Sequence, residues 1–310
     1  MNKIAIAIHG GAGTILKTDL TPELEQTYTK GLQAALDNGY NALQSGQSAI
    51  DAVLAAVMSL EDNPLFNAGK GSVFTKQGKH EMDAAIMDGS NLQAGAVAAI
   101  QQIKNPVLLA LDVMRHTEHV MLSGQGVLDF AATRGYTLEP DTYFFSQQRY
   151  NQWQQVQHTD TTALDHNIPV KDKKFGTVGA VAVDSQGNVA AATSTGGMTN
   201  KQFGRIGDSP IIGCGTYANN HTCAISCTGH GELFIRAVTA YDVSCLMEYK
   251  GLSLQEAMHI VVQDKLVKIG GEGGMIGVDS KGNTALLFNS EGMYRGVRDN
   301  AGINAINIYK

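Results

Sequence analysis

The chain has 310 residues, 43% of them hydrophobic, with 35 glycines, 6 prolines and a formal net charge of −6 at pH 7. That length holds one large domain or two ordinary ones, with enough apolar material for a sizeable core. The acidic balance argues against nucleic acid or an anionic membrane as a partner. Abundant glycine without repeats or Pro/Ser-rich tracts points to tight turns and close backbone approaches.

Near the amino terminus, Ile4-Ala5-Ile6-Ala7-Ile8 is far too short for a membrane span and runs straight into glycines. It reads as a strand over 3–8 and not as a signal peptide, so a cytoplasmic location is expected. His9-Gly10-Gly11-Ala12-Gly13 follows. Those glycines suit a phosphate cradle, an active-site wall or a tight turn. Without a P-loop Lys-Ser/Thr or dinucleotide spacing, the tight turn is preferred. Thr21-Pro22-Glu23 starts a helix expected to reach residue 43, and Ser48-x-x-Asp51 caps a second that stops near Asp62-Asn63-Pro64. The loop over 60–71 holds two glycines and a lone proline, which suggest a curled backbone. Its carbonyls suit a ring around a hard monovalent cation, but spacing alone favours an ordinary connection to a strand at 72–75.

Residues 82–87 and 93–100 read as paired strands around Asp88-Gly89. Asn105-Pro106 begins a helix to about 115, and Ser123 begins another ending at Gly135. His116 and His119 lack ligand spacing. Cys214, Cys223, Cys227 and Cys245 form neither Cys-x-x-Cys nor a zinc pattern, and read as reduced thiols, with Cys223 and Cys227 on one strand face. From Ser146 to Lys174 glutamines cluster and apolar periodicity disappears, which predicts an exposed linker. After it come strands at 177–183 and 189–195 in a hairpin, two more at 213–218 and 222–228, a helix over 231–249, a helix capped by Ser253-Leu254-Gln255-Glu256, and a second hairpin over 274–289. Helices enclosing stacked sheets are the natural architecture.

The junction Gly176-Thr177 decides the chemistry. A threonine hydroxyl is a poor nucleophile without a neighbouring base. Cutting before Thr177 would give it a free α-amine with a pKa near ~8, so that one residue carries both nucleophile and base. Three clusters follow at strand ends: Thr193-Ser194-Thr195-Gly196-Gly197, Gly204-Arg205-Ile206-Gly207-Asp208-Ser209-Pro210 and Ser226-Cys227-Thr228-Gly229-His230-Gly231-Glu232. Their hydroxyls and glycine amides suit an oxyanion hole. Arg205 and Asp208 suit the two ends of a zwitterion, or else an ordinary surface ion pair.

These motifs, with His9-Gly10-Gly11-Ala12-Gly13 and Phe66-Asn67-Ala68-Gly69, resemble the plant-type L-asparaginases, or isoaspartyl peptidases, of the amino-terminal-nucleophile (Ntn) hydrolases. The resemblance covers essentially the whole chain. It implies one α+β domain over 1–310, a four-layer αββα sandwich. The chain would cut itself into an α subunit (1–176, with a flexible linker from about 146) and a β subunit (177–310), and assemble as an (αβ)₂ homodimer. By resemblance Thr177 is the nucleophile and Gly176–Thr177 the cleavage site. Thr195 positions the Thr177 amine, and Thr228 with the Gly229 N–H forms the oxyanion hole. Arg205 takes the substrate α-carboxylate, Asp208 the α-ammonium, Gly231 adds a backbone contact and Asn67 lines the site. The implied substrates are L-asparagine and β-aspartyl dipeptides, with no catalytic cofactor. A structural Na⁺ is implied on the backbone carbonyls of Leu60, Glu61, Asn63, Phe66, Ala68 and Lys70. His230 stands where some members carry Thr. The alternatives are a glycosylasparaginase- or taspase-like member of the same fold, or an uncleaved small-molecule binding protein.

Overall fold

Alternation along the strands sorts the buried side chains into three separate cores. The computed structural model describes residues 3–158 and 176–310. In chain order it has β1 (Ala5–Gly13), α1 (Pro22–Gln44), α2 (Ala49–Glu61), β2 (Met82–Asp88), β3 (Ala94–Ile100), α3 (Pro106–His116), β4 (Met121–Ser123), α4 (Gln125–Thr133), α5 (Asp141–Phe144) and α6 (Gln147–Val156). After the undescribed stretch come β5 (Thr177–Val183), β6 (Val189–Thr195), β7 (Thr216–Ala218), β8 (Cys223–Gly229), α7 (Gly231–Ala237), α8 (Thr239–Lys250), α9 (Leu254–His259), a π-helical stretch Ile260–Leu266, and β9 (Gly273–Asp279), β10 (Thr284–Phe288), β11 (Gly292–Asp299) and β12 (Asn304–Tyr309).

The strands form an eight-stranded sheet, β12-β11-β1-β5-β6-β2-β3-β4, and a four-stranded sheet, β10-β9-β8-β7. Successive strand residues face opposite sides. Along β1, Ile6 and Ile8 join α1 and α2 in one core, while Ala5 and Ala7 turn to the other sheet. In β5, Val178, Ala180 and Ala182 face the helices and Val181 and Val183 face inward. On the small sheet Cys223, Ile225 and Cys227 pack beneath α8 and α9, whereas Ala224 points between the sheets. Helix, sheet, sheet, helix is therefore the layer order: an αββα sandwich, as expected. The inter-sheet core is built largely of alanine and valine. Side chains that small allow the two sheets to pack closely.

Local signals hold where they have a mechanism. Thr21 accepts from Leu24 N at the start of α1. Ser48–Asp51 and Ser253–Glu256 are both complete capping boxes. Three expectations differ. The strand at 72–75 is only an isolated bridge between Thr75 and Lys201. The single helix over 231–249 is broken at Val238, which sits in the left-handed region (φ 49, ψ 50) between α7 and α8. The expected linker from about 146 begins as α6, pinned by the Trp153 ring stacked 5.6 Å from Phe74 and by buried Arg149, which donates to Gly71 O at 3.2 Å. The remainder of that linker, 159–175, lies outside the described residues. β11 and β12 also form the edge of the large sheet without having been anticipated.

Candidate active site

Antiparallel pairing brings the site's first three residues into a row. Thr177 opens β5 opposite Thr195, the last residue of β6, and Thr195 is in turn opposite Asp83 of β2. Paired residues of antiparallel strands project to the same face, and here that face is the one turned toward the second sheet. Thr177 Oγ1 donates to Thr195 Oγ1 at 3.2 Å, and Gly197 N donates to the same Thr195 oxygen at 2.9 Å. With both contacts accepted, the Thr195 hydroxyl hydrogen is left to donate into the site.

Asn67 braces this corner. Its Nδ2 donates to Gly197 O at 2.7 Å, its Oδ1 accepts from Val73 N at 3.0 Å and its carbonyl accepts from Gly196 N at 3.0 Å. A side chain added to Gly176 would meet Asn67 Cβ at 2.9 Å, so the residue before Thr177 lies directly against Asn67.

His9 secures the Thr177 backbone from the other side. Its Nδ1 lies 2.9 Å from Thr177 O and its Nε2 lies 2.9 Å from Ser226 Oγ. A carbonyl only accepts, which assigns the ring hydrogen to Nδ1 and makes Nε2 the acceptor of the Ser226 hydroxyl. Burial pushes the imidazole pKa down to about 3, against the opposing hydrogen bond to Thr177, so the ring is neutral. Ser226 Oγ is 2.7 Å from Thr193 Oγ1, and Thr216 Oγ1 donates to Thr193 Oγ1 at 2.7 Å. A buried chain of hydroxyls thus runs between the sheets and ends, through His9, on the carbonyl of Thr177. Farther along β1, Ala12 N donates to Thr228 Oγ1 at 3.3 Å. The His9–Gly13 segment is therefore an extended wall of the site and not the tight turn preferred from sequence. A side chain at Gly10 would press on the Phe66 ring at 2.5 Å.

The second sheet contributes Thr228 and Gly229 at the end of β8, Thr228 buried and Gly229 at φ 154. Just beyond, a side chain at Gly231 would lie 2.8 Å from Arg205 Nη2 and 2.9 Å from Asp208 Oδ1. Arg205 and Asp208 thus both border Gly231. Asp208 is 4% exposed and its Oδ2 has no hydrogen-bond partner among the described residues. Burial raises its pKa to about 7, with Arg205 pulling it down. The Arg205 guanidinium is held by a residue to which sequence reasoning assigned no role. Its Nε and Nη2 fork onto the two carboxylate oxygens of Glu232 at 2.8 and 2.9 Å. Burial acts to raise the Glu232 pKa, but the Arg205 fork and charge bring it below its usual value. The His230 ring stands 3.5 Å from the same carboxylate.

The 60–71 loop curls as its breaks suggest. Asn63 N bonds Leu60 O, Phe66 N bonds Asn63 O, Ala68 N bonds Phe66 O and Gly71 N bonds Ala68 O. Gly69 (φ 50) lies where a side chain would be 2.5 Å from Glu61 O, and one at Gly71 would be 2.6 Å from Pro64 O. Backbone carbonyl oxygens are the donor type a hard cation takes, and those of Leu60, Asn63, Phe66 and Ala68 each also accept a backbone N–H here. The Glu61 carboxyl group is engaged with α3. Buried, with its pKa raised by burial to about 8, it accepts from Val107 N in the first turn of α3 at 3.0 Å. Among the described residues no group of three or more His, Cys, Asp or Glu could hold a metal.

With this geometry in hand, comparison with known proteins places the chain. The model of the asparaginase family matches residues 2–308. The chain belongs to that family. It is 52% identical over 297 residues to the isoaspartyl peptidase of Escherichia coli strain K12, covering 95% of this chain and 92% of the relative. It is 41% identical over 326 residues to the probable isoaspartyl peptidase/L-asparaginase 2 of Arabidopsis thaliana, covering 99% of both. Against the isoaspartyl peptidase/L-asparaginase of Xenopus laevis it is 42% identical over 292 residues, covering 94% of this chain and 91% of the relative. Family membership makes the chain an Ntn hydrolase, in keeping with the four layers.

Proposed function

We propose that the protein is a self-cleaving amidohydrolase acting on L-asparagine and β-aspartyl peptides, with Thr177 as nucleophile. The observation that carries this reading is the Thr177–Thr195 hydroxyl pair at 3.2 Å, beside Gly176 and on the face turned toward the second sheet. The names of the relatives support the substrate class.

In the precursor, Thr177 Oγ attacks the Gly176 carbonyl. The C–N bond breaks, the nitrogen takes a proton in place of the acyl group, and water hydrolyses the resulting ester. The products are a Gly176 carboxylate and a Thr177 α-amine, which titrates near pKa ~8. In turnover that amine accepts the Oγ proton while Oγ attacks the β-carbonyl of the bound aspartyl group. Thr228 Oγ–H and Gly229 N–H receive the developing oxyanion. Ammonia or an amino acid leaves with a proton, and water releases aspartate from the ester. Arg205 binds the α-carboxylate as a planar fork, Asp208 the α-ammonium, and Gly231 leaves room for both. Two groups selecting free α-charges favour small substrates over an endoprotease.

A Na⁺ in the 60–71 loop would be held by the carbonyls of Leu60, Glu61, Asn63, Phe66, Ala68 and Lys70. It would supply charge that keeps the loop curled, and with it the Asn67 backbone. An (αβ)₂ homodimer of processed protomers in the cytoplasm completes the reading. Among the described residues no helix is long and apolar enough to cross a membrane.

Incubation of purified protein, followed by intact mass and assays of ammonia and aspartate release, tests the proposal. Two fragments meeting at Gly176/Thr177 and turnover of at least one substrate are expected, with neither in Thr177→Ala. Correctly cut wild-type protein that hydrolyses neither L-asparagine nor a β-aspartyl dipeptide would overturn it.

A further inference from the structure

The row that carries Thr177 and Thr195 ends on a charged pair that the chemistry above leaves unused. Asp83 is fully buried, and its Oδ1 accepts from Ala99 N at 2.7 Å, holding a bulge where Ala99 takes φ 52. Its Oδ2 finds no hydrogen-bond donor among the described residues and faces Lys201 Nζ at 4.0 Å, both side chains being at most 1% exposed. Lys201 Nζ donates to Glu81 O at 2.9 Å. On the way there the lysine stem crosses Gly197. A side chain at Gly197 would meet Lys201 Cδ and Nζ, each at 3.1 Å, and Gly197 itself sits at φ 78. The Lys201 backbone is tied down as well, by its bridge to Thr75 and by Lys76 N on Lys201 O at 3.0 Å.

Removing an ammonium and a carboxylate from water costs several kcal/mol per ion, and an apolar pair of similar volume is usually no less stable. Burial indeed drives both groups toward their neutral forms, lowering the Lys201 pKa and raising that of Asp83, each opposed by the partner's charge. Stability alone therefore does not account for the pair, and its position does. Gly197 is gripped on three sides: by the lysine stem, by Asn67 Nδ2 on its carbonyl, and through its own N–H on Thr195 Oγ1. That last bond aims the hydroxyl which receives Thr177 Oγ1.

We propose that the buried Lys201–Asp83 pair is a positioning unit that fixes the Thr195–Gly197 turn, and through it the Thr177 hydroxyl, in both self-cleavage and turnover. Neither residue touches substrate. The inference rests on the reading of Thr177 as nucleophile and adds Lys201 and Asp83 to the residues that reaction needs. Because the Arg205 guanidinium is held by Glu232 and not by this pair, loss of the pair acts on reaction rate more than on substrate affinity. A shift of about 1 Å in a reacting group costs roughly 100-fold in rate, which sets the scale of the effect.

The test compares wild type with Lys201→Met/Asp83→Asn. The double variant removes both charges together, and the new amide oxygen still accepts from Ala99 N. Circular dichroism and thermal melting report folding, intact mass the rate of self-cleavage, and steady-state kinetics on L-asparagine the split between kcat and KM. The expected result is a folded variant that cleaves itself and turns over about 10–100-fold more slowly, with KM within about threefold of wild type. Lys201→Arg, which keeps the cation beside Asp83, should recover most of the loss. The proposal fails if the folded double variant cleaves and turns over within about threefold of wild type, or if KM rises while kcat holds. It fails equally if the double variant does not fold, for the pair is then scaffold alone. Failure of the underlying reading is distinct: wild type itself would then be inactive.

Discussion

Glu232 makes no contact with the Thr177–Thr195 corner, yet its removal should be felt in substrate affinity. The carboxylate holds Arg205 by Nε and Nη2 at 2.8 and 2.9 Å, which fixes the plane of the guanidinium over Gly231. In Glu232→Ala the arginine regains rotamer freedom that substrate must then remove. An arginine side chain carries about 2 kcal/mol of such entropy, and recovering half to most of it costs about 1–2 kcal/mol on binding. At 1.4 kcal/mol per tenfold, that ordering cost alone corresponds to roughly 5–30-fold in KM. An opposing effect exists, since removing a negative charge beside Arg205 strengthens its pull on the substrate carboxylate. The Glu232 side chain is 46% exposed, so solvent screens that contribution to about 0.2–1 kcal/mol, and mid-range values set against each other leave a net rise in KM of roughly fivefold. Because the Thr177 corner is untouched, kcat should stay within about threefold of wild type. Glu232→Gln, whose amide oxygen still accepts from Arg205 Nε, should fall between the two. The assay is steady-state kinetics on L-asparagine and a β-aspartyl dipeptide, using protein confirmed by mass to be fully cut. An unchanged or lowered KM in Glu232→Ala would refute the argument, as would a loss confined to kcat.

Thr228→Ala removes one oxyanion donor and should lower kcat by about 10²–10³-fold, or roughly 2.7–4 kcal/mol, leaving measurable activity where Thr177→Ala leaves none; steady-state rates on processed protein check it. His9 gives a pH-dependent signature in stability. Its pKa is about 3 in the fold against 6.5 in the unfolded chain, so the stability it contributes is complete above about pH 6.5. That contribution is lost as pH falls toward 3, at about 1.4 kcal/mol per unit. Asp208 and Glu61, whose carboxyls burial raises, have the opposite sign but are common to both proteins compared. Urea unfolding of His9→Asn against its parent between pH 7 and 4, both as Thr177→Ala single chains, should show the gap between them narrowing on acidification. Parallel curves would contradict the buried neutral imidazole.

Much of the fold was legible because its signals are local. The β5–β6 hairpin follows from two small apolar runs around Ser185-Gln186-Gly187-Asn188, and the capping boxes mark helix starts by side chains three residues apart. What escaped depends on distant partners. β11 reads Gly-Met-Tyr-Arg-Gly-Val-Arg-Asp, whose glycines and arginines hide a strand until β1 pairs with it. The polar α6 shows little apolar stripe because Trp153 and Arg149 hold it by ring stacking and hydrogen bonding. Nothing in the residues around Val238 announces a left-handed break; tertiary packing overrides local preference there. In the candidate site, Thr177, Thr195 and Thr228 stand out because each lies at a strand end next to glycine, while the roles proposed for them come from the family resemblance. The Glu232 fork reaches across 27 residues and the His9 hydrogen bond across 168. Only the folded register creates those contacts.

The order of strands in the large sheet carries a further consequence for a chain severed before Thr177. β1, β2, β3 and β4 would belong to one piece and β5, β6, β11 and β12 to the other. The two are dovetailed at three seams, β11 against β1, β1 against β5 and β6 against β2. Neither half could depart without unzipping ladders on both sides of a neighbour. Scission would therefore change the chemistry of one residue while leaving the architecture a single knit body, and separately made halves would have to find each other before either could complete its sheet.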